Sequence, residues 1–394
     1  MVVVITLGVV TVLLAYLAQW QKRATSLKIA FVLIFLFLAL RYNFGNDYNN
    51  YLIGFMEISS NAKIFLTDAK WEPGWRFLHI IFRPFGFFAM VGTLALIHCI
   101  ILYRFVRRYV PPKYYWLALF IYIFEPYLML IECSAMRQTV AISLFLLSID
   151  FLIRKKAIGY FICILIGISM HKSALVLLPV FVLAFFQWRL TKPLALGYLL
   201  CFISLFIFGE QLFPYIIKFT DIFFHGYVSE YRGGRSFSSG IGLMFMLFQL
   251  ISILYYSGLQ FKPQNGWDSG EMESEYDIDY IPYDTPESDL SPSYNTDLTV
   301  KANRILFLFA ILTYMFIPLG LMIGMVGRVN LYFLPALIVV FPLVLNGSKS
   351  AFFRLAFLSA LIFFTLFKFM MFFYNPLWER FTVYHTIFSA PQIY

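Results

Sequence analysis

The chain has 394 residues, of which 61% are hydrophobic and 13% charged, with a formal net charge of +9. Soluble domains carry about 25% charged residues, so this composition excludes an ordinary soluble enzyme. Apolar runs that are continuous rather than alternating exclude a β-barrel. The expected fold class is an all-α polytopic membrane protein, one domain over 1–394 with about twelve crossings of about 20 residues each.

The charge is uneven. Residues 262–301 hold ten acidic residues and two lysines, a local charge of −8, which leaves +17 on the rest. Basic loops in such a chain set topology, so no nucleic-acid partner is expected. Cys99, Cys133, Cys163 and Cys201 lack metal-ligand spacing and read as packing residues. The apolar run starts at Val2 with no basic region before it, so the first span is expected to persist in the mature protein.

In chain order the expected spans are 2–19, 27–42, 85–106, 114–131, 135–153, 157–170, 173–187, 193–210, 240–258, 304–325, 329–345 and 351–373. Basic residues mark alternate short loops as cytoplasmic: Lys22, Arg23 and Lys28; Arg104, Arg107, Arg108 and Lys113; Arg154, Lys155 and Lys156; Arg189 and Lys192; Lys349 and Arg354. Both termini then fall outside. The second span is short and needs Lys28 and Arg41 to snorkel. Residues 157–187 are too few for two full helices, so a short hairpin with His171 and Lys172 at its tip is expected.

Three loops stand out. The outer loop 43–76 is aromatic, with Trp71 and Trp75, and is expected to lie along the interface. The outer loop 211–239 carries Arg232 and Arg235 beside glycines and serines and is expected to be mobile. The cytoplasmic loop 259–303 is acidic and rich in Ser and Pro, the composition of a disordered segment.

The unusual polar residues gather at the outer ends of the spans, as a site for an anionic, membrane-bound substrate requires. Arg137 opens the fifth span, where a helix N-terminus already favours anions. Its planar fork matches phosphate oxygens; the bland alternative is a snorkelling arginine or a pair with Glu132. Arg328 lies in Gly324-Met-Val-Gly327-Arg328-Val-Asn330, on a side where topology does not call for a cation. His171, beside Lys172 and Ser173, is either a proton acceptor near neutral pH, a phosphate ligand, or a structural histidine. Arg41 ends the second span. Asp47 and Glu72 each read as a general base, an orienter of a sugar hydroxyl, or an interfacial ion pair; Pro73 and Gly74 fix Glu72 in a turn. Glu125, before Pro126, is an intramembrane carboxylate and a further candidate base, or a neutral acid at a kink. Arg232 and Arg235 read as a second phosphate clamp or as a solvated loop. Asp150 and Arg154 read as an i,i+4 pair. No HExxH, DxD, P-loop or Cys/His set occurs. No metal or cofactor is therefore expected. An arginine-based site that neutralises charge on a leaving diphosphate remains.

Five short motifs carry a resemblance: Arg41-x3-Gly45-x-Asp47-x3-Tyr51, Glu72-Pro73-Gly74, Ser134-x2-Arg137-Gln138-x2-Ala141, His171-x-Ser173-Ala174-Leu175 and Arg328-x3-Tyr332. In this order, over 41–332, they resemble the EpsG family of Wzy-type polysaccharide polymerases. The resemblance implies a GT-C-like helical fold similar to that of the O-antigen ligases. It implies a glycosyltransferase of the bacterial plasma membrane with its site facing the periplasm or exterior. Such an enzyme joins oligosaccharide repeat units carried on undecaprenyl or another polyprenyl diphosphate into O-antigen, capsule or exopolysaccharide. Arg137 and Arg328 would hold the donor diphosphate, with Arg41, Arg232 and Arg235 assisting. Gln138, Lys172, Ser173, Tyr332 and Glu125 would support them. His171, Asp47 or Glu72 would take the acceptor proton. A chain-length regulator and other assembly proteins are the implied partners. The acidic loop is longer than the family leads one to expect.

The alternative is a lipid-linked oligosaccharide flippase or transporter, which binds the same ligand without chemistry. It needs polar residues through both leaflets, whereas the inner halves of these spans are nearly pure Phe, Leu and Ile, and no inverted repeat is evident. A membrane acyltransferase would want its histidine on the inner side.

Overall fold

The computed structural model describes residues 1–21, 23–60, 71–186, 190–224, 240–260 and 292–389. About 85% of it is helical. Among the described residues six helices are long and apolar enough to cross a membrane: Phe87–Tyr109, Met136–Ile153, Lys192–Gly209, Leu298–Leu321, Val326–Gly347 and Ala351–Tyr374. Shorter apolar helices accompany them, and the protein is an all-α polytopic membrane protein. It divides into two compact units, Met1–Phe185 with Ile362–Tyr394, and Phe186–Leu361.

In the first unit α1 (Val2–Ala18) and α2 (Thr25–Leu40) pair, and α2 leads into a two-residue strand β1 (Arg41–Tyr42). Residues 43–76, expected as a loop, contain helix α3 (Tyr48–Ser60) and the start of α4 (Pro73–Phe82). On α4, Trp75 and His79 face inward, while Phe77 and Ile81 are 61% and 43% exposed. An apolar face turned away from the core is what a helix lying in the membrane interface presents. Tyr48, Tyr51, Phe55, Trp71 and Trp75 form an aromatic core with Phe87 and Met136.

The long helix α5 (Phe87–Tyr109) packs against α2 and α8 (Met136–Ile153). Between them the chain is broken twice. Helix α6 (Tyr115–Phe124) ends at Glu125, which is extended (φ −79, ψ 106) because the following Pro126 disfavours helical backbone. The short α7 (Met129–Ser134) then stops at Ala135, and α8 starts one residue later. The expected spans 114–131 and 135–153 are thus three helices. At the end of α5, Asp150 accepts from Arg108 at 2.6 Å and from Tyr109, so its partner is Arg108 and not Arg154.

Helix α9 (Ala157–Met170) is followed by a 3-10 segment, Lys172–Ala184, with an extended His171 (φ −153, ψ 120) between them. The 3-10 geometry answers the shortage of residues. At about 2.0 Å per residue the 13-residue return segment spans about 26 Å, enough to match a 14-residue α-helix of about 21 Å. The Tyr160 hydroxyl donates to the Leu177 carbonyl at 2.6 Å and closes the hairpin.

The C-terminal part of the unit folds back onto β1, which the sequence reading did not foresee. Strand β2 (His385–Thr386) pairs antiparallel with β1, Arg41 opposite Thr386. Asn46 Nδ2 donates to the Leu377 carbonyl at 2.8 Å, and the Tyr384 hydroxyl to the Phe37 carbonyl at 2.7 Å.

In the second unit α10 (Lys192–Phe224) and α11 (Gly240–Gln260) pack on α12 (Pro292–Met322), and the Tyr314 hydroxyl donates to Gln249 Oε1 at 2.6 Å. The last part of the acidic segment 259–303 is therefore helix from Pro292 onward; 261–291 lies outside the described residues. Of the expected mobile loop 211–239, residues to Phe224 continue α10, and 225–239 lie outside the described residues. Helix α13 (Gly324–Phe333) folds against α12, where Gly320 and Gly327 come so close that a Cβ on Gly320 would stand 2.9 Å from the Gly327 Cα. Then come α14 (Leu337–Gly347) and α15 (Ala351–Tyr374), whose second half belongs to the first unit.

Candidate anion-binding site

The site is built on the break between α7 and α8. Gly45 passes against Ser134 with φ +105, and a Cβ there would stand 2.9 Å from the Ser134 Cα. That left-handed turn is open to glycine and brings the Asp47 amide within 3.1 Å of the Ser134 hydroxyl, which accepts its hydrogen bond. The first motif and the Ser134 motif are thus two sides of one contact.

Arg137, in the first turn of α8, donates through Nη1 to Glu72 Oε2. Its guanidinium carbon lies 4.8 Å from the Trp71 ring centroid and 5.8 Å from that of Tyr51. Stacked aromatics and a carboxylate hold the fork in one orientation. The Arg137 side chain keeps 21% exposure and Glu72 only 8%. Burial, reinforced by the Arg137 charge, pushes the nearby His79 imidazole down to about 3, so it adds no second cation here.

Glu72 is the residue before α4, with Pro73 at the first helical position. Gly74 follows because α4 crosses α9 too closely for a side chain. A Cβ on Gly74 would stand 2.2 Å from Ser169 Oγ and 2.9 Å from the Ser169 carbonyl. Gly74→Ala is expected to cost about 1–3 kcal/mol, read as a lower melting temperature of the purified protein. Adding Ser169→Gly should recover only part of it, since the carbonyl remains.

The second oxygen of Glu72 accepts from the Lys172 backbone amide at 3.3 Å. One carboxylate therefore joins Arg137 to the tip of the hairpin. There, His171 Nδ1 lies 2.6 Å from Ser173 Oγ and accepts from the Ser173 amide at 3.3 Å. An acceptor at Nδ1 assigns the proton of the neutral ring to Nε2. His171 is buried, and Lys172 beside it is exposed.

The structure brings Arg137, Glu72, Asp47, Gln138, His171, Lys172 and Ser173 into the same unit around this break. Other candidates are placed differently. Arg41 is buried and donates to the Leu38 carbonyl and, at 3.4 Å, to that of Cys133, so it braces α2 against α7. Glu125 receives Lys368 Nζ on both oxygens at 2.7 and 2.6 Å, an ion pair across 243 positions of sequence. Arg137 pairs with Glu72 and not with Glu132. Arg328, exposed, and Tyr332, buried, lie on α13 of the second unit. Arg232 and Arg235 lie outside the described residues. The aromatic seat of Arg137 and the partner of Glu125 were not foreseen from sequence. Trp71 was legible only as an interfacial tryptophan.

The protein is a polytopic helical membrane protein in which an arginine, a histidine and carboxylates gather at one helix break. The chain matches the EpsG family over residues 25–386 and belongs to that family, a Wzy-type polymerase-like group. No curated protein and no solved structure matches it.

Proposed function

We propose that this polysaccharide-polymerase-like protein is a membrane glycosyltransferase that needs no metal and extends a polysaccharide by whole repeat units. The substrate is an oligosaccharide on a polyprenyl diphosphate such as undecaprenyl diphosphate. The growing chain leaves its lipid diphosphate and is joined to a hydroxyl of the incoming lipid-linked unit. The bond from the anomeric carbon to the diphosphate oxygen breaks, a bond to the acceptor oxygen forms, and the acceptor proton passes to a base. The observation that carries this reading is Arg137, held by Trp71, Tyr51 and Glu72 with its fork fixed at a helix N-terminus. Such a preorganised cation stabilises charge that develops on a leaving diphosphate.

His171, with its proton on Nε2, supplies a donor to the same anion. Glu72 has both oxygens engaged and acts as a strut. Asp47, exposed and fixed through its own amide, is the base. Arg328 and Tyr332 are further candidates for holding the diphosphate. Arg232 and Arg235 serve as a second clamp. A GT-C-like arrangement of about twelve crossings, a bacterial plasma membrane and a site on the periplasmic or outer side complete the proposal. A chain-length regulator fits as partner.

Reconstitution in liposomes with a polyprenyl-diphosphate-linked repeat unit tests it. A glycan ladder is expected from the wild-type protein. No ladder, together with movement of the lipid-linked unit between leaflets, would replace the polymerase by the flippase reading.

A further inference from the structure

Beneath the site lies a buried polar network outside the machinery described so far. His98 of α5, Tyr122 of α6, Glu132 of α7 and Ser143 of α8 are 3%, 1%, 7% and 3% exposed. His98 Nδ1 is 2.8 Å from Ser143 Oγ. His98 Nε2 is 2.9 Å from the Tyr122 hydroxyl and 3.2 Å from Glu132 Oε2. The Tyr122 hydroxyl donates to the same Glu132 oxygen at 3.2 Å. His98 lies eleven residues after Phe87, about 17 Å along α5.

The proton count is informative. Ser143 gives its proton to the Thr139 carbonyl at 2.8 Å, so the His98 Nδ1–H donates to Ser143. The Nε2, phenol and carboxylate then form a triangle with three close contacts. A neutral ring and an ionised carboxylate would bring only the phenol proton to it, leaving two contacts between lone pairs. One further proton, on Nε2 or on Glu132 and shared between its two neighbours, satisfies the triangle and leaves the buried cluster without net charge, as burial demands. A fully satisfied buried network of this kind specifies one geometry.

What it specifies is the position of α7. Three consecutive residues there face three anchors. The Glu132 side chain is held by His98 and Tyr122 below, the Cys133 carbonyl takes Arg41, and the Ser134 hydroxyl takes the Asp47 amide. Thr139 Oγ1 donates to the Glu132 carbonyl at 2.7 Å, which ties α8 to α7 across the break at Ala135. Arg137 and Asp47 therefore both hang on a segment whose register is set by Glu132.

We propose that Glu132, with His98 and Tyr122, is a positioning residue that aims Arg137 and Asp47 at the diphosphate and the acceptor. The inference rests on the polymerase reading above. In the liposome assay Glu132→Ala is expected to lower polymer formation by ten- to a hundredfold, as misplacement of about 1 Å does. Glu132→Gln can set its amide oxygen where Oε2 meets both partners, accepting from the Tyr122 hydroxyl and from a His98 Nε2–H once Ser143 turns its proton to Nδ1, and should stay within about threefold of wild type. A merely structural role would add its loss to any other. Glu132→Ala in an Arg137→Lys background is expected to add little to the loss from Arg137→Lys alone. Should Glu132→Ala fail to insert, Tyr122→Phe removes one side of the triangle and should show a smaller loss with the same non-additivity. Additive losses, wild-type activity in Glu132→Ala, or equal losses in Glu132→Gln and Glu132→Ala would overturn the proposal. If the wild-type protein makes no polymer, the polymerase reading fails. The positioning claim is then read from thermal stabilisation by polyprenyl diphosphate across the same variants. The same pattern is expected there, and no stabilisation of the wild type overturns both.

Discussion

Arg137→Ala is expected to reduce polymer formation by at least about 10²–10³, the loss seen when one preorganised donor to a developing anion is removed. Two effects must be separated in that variant. Arg137 is the partner that the structure gives to Glu72, a carboxylate only 8% exposed. Removing one member of a buried pair costs about 3–5 kcal/mol because the other charge is stranded. Arg137 keeps 21% exposure, so the lower end of that range applies. The melting temperature should therefore fall together with activity. Arg137→Ala combined with Glu72→Gln removes the stranded charge. It should recover most of the melting temperature and none of the polymer. Arg137→Lys keeps a cation near Glu72 but loses the planar fork and its stacking on Trp71. Its activity should lie between the two. If the double variant makes full-length polymer, Arg137 is an ion-pair partner alone and the diphosphate site lies elsewhere.

The long apolar helices were legible because lipid demands long apolar runs, and basic clusters separate those runs in this chain. The break at His171 was legible for a local reason, since a short polar tip interrupts a helix where it stands; Pro126 suggested only a kink, within the unbroken span expected over 114–131. Helix α3 was not legible as one. Asn49, Asn50 and Gly54 among Tyr48, Tyr51 and Phe55 suit an interfacial loop as well as a helix, and the choice was made by packing on Trp71, Trp75 and Phe87. Pairings were the least legible. Glu72 finds Arg137 65 positions away and Glu125 finds Lys368 243 positions away, and nothing local marks either. His98 was invisible for a similar reason. A single histidine inside an apolar helix takes its meaning from Tyr122, Glu132 and Ser143, each on another helix. The motif glycines were readable as punctuation, but the structure supplies their causes, the passage of Gly45 over Ser134 and of Gly74 over Ser169.

The roles of Asp47 and His171 separate under conservative substitution. Asp47→Asn retains the backbone contact to Ser134, because that bond comes from the amide and not the side chain. It removes only the proton acceptor. A general base contributes about 10²–10⁴, so kcat should fall by that factor while the concentration of lipid-linked unit needed for half-maximal rate changes little. His171→Gln replaces the Nε2–H donor by an amide donor and cannot take a proton at neutral pH. If His171 holds the diphosphate, the glutamine variant should keep a substantial part of the activity that His171→Ala loses. If His171 is instead the base, both His171 variants should fall equally in kcat and Asp47→Asn should be nearly silent. The hydrogen bond from the Ser173 amide to Nδ1 favours the first outcome, because it leaves the protonated nitrogen on the far side of the ring. Ser173→Ala provides a control on that argument. It removes the hydroxyl 2.6 Å from Nδ1 but leaves the amide in place. The tautomer, and with it the advantage of His171→Gln over His171→Ala, should survive.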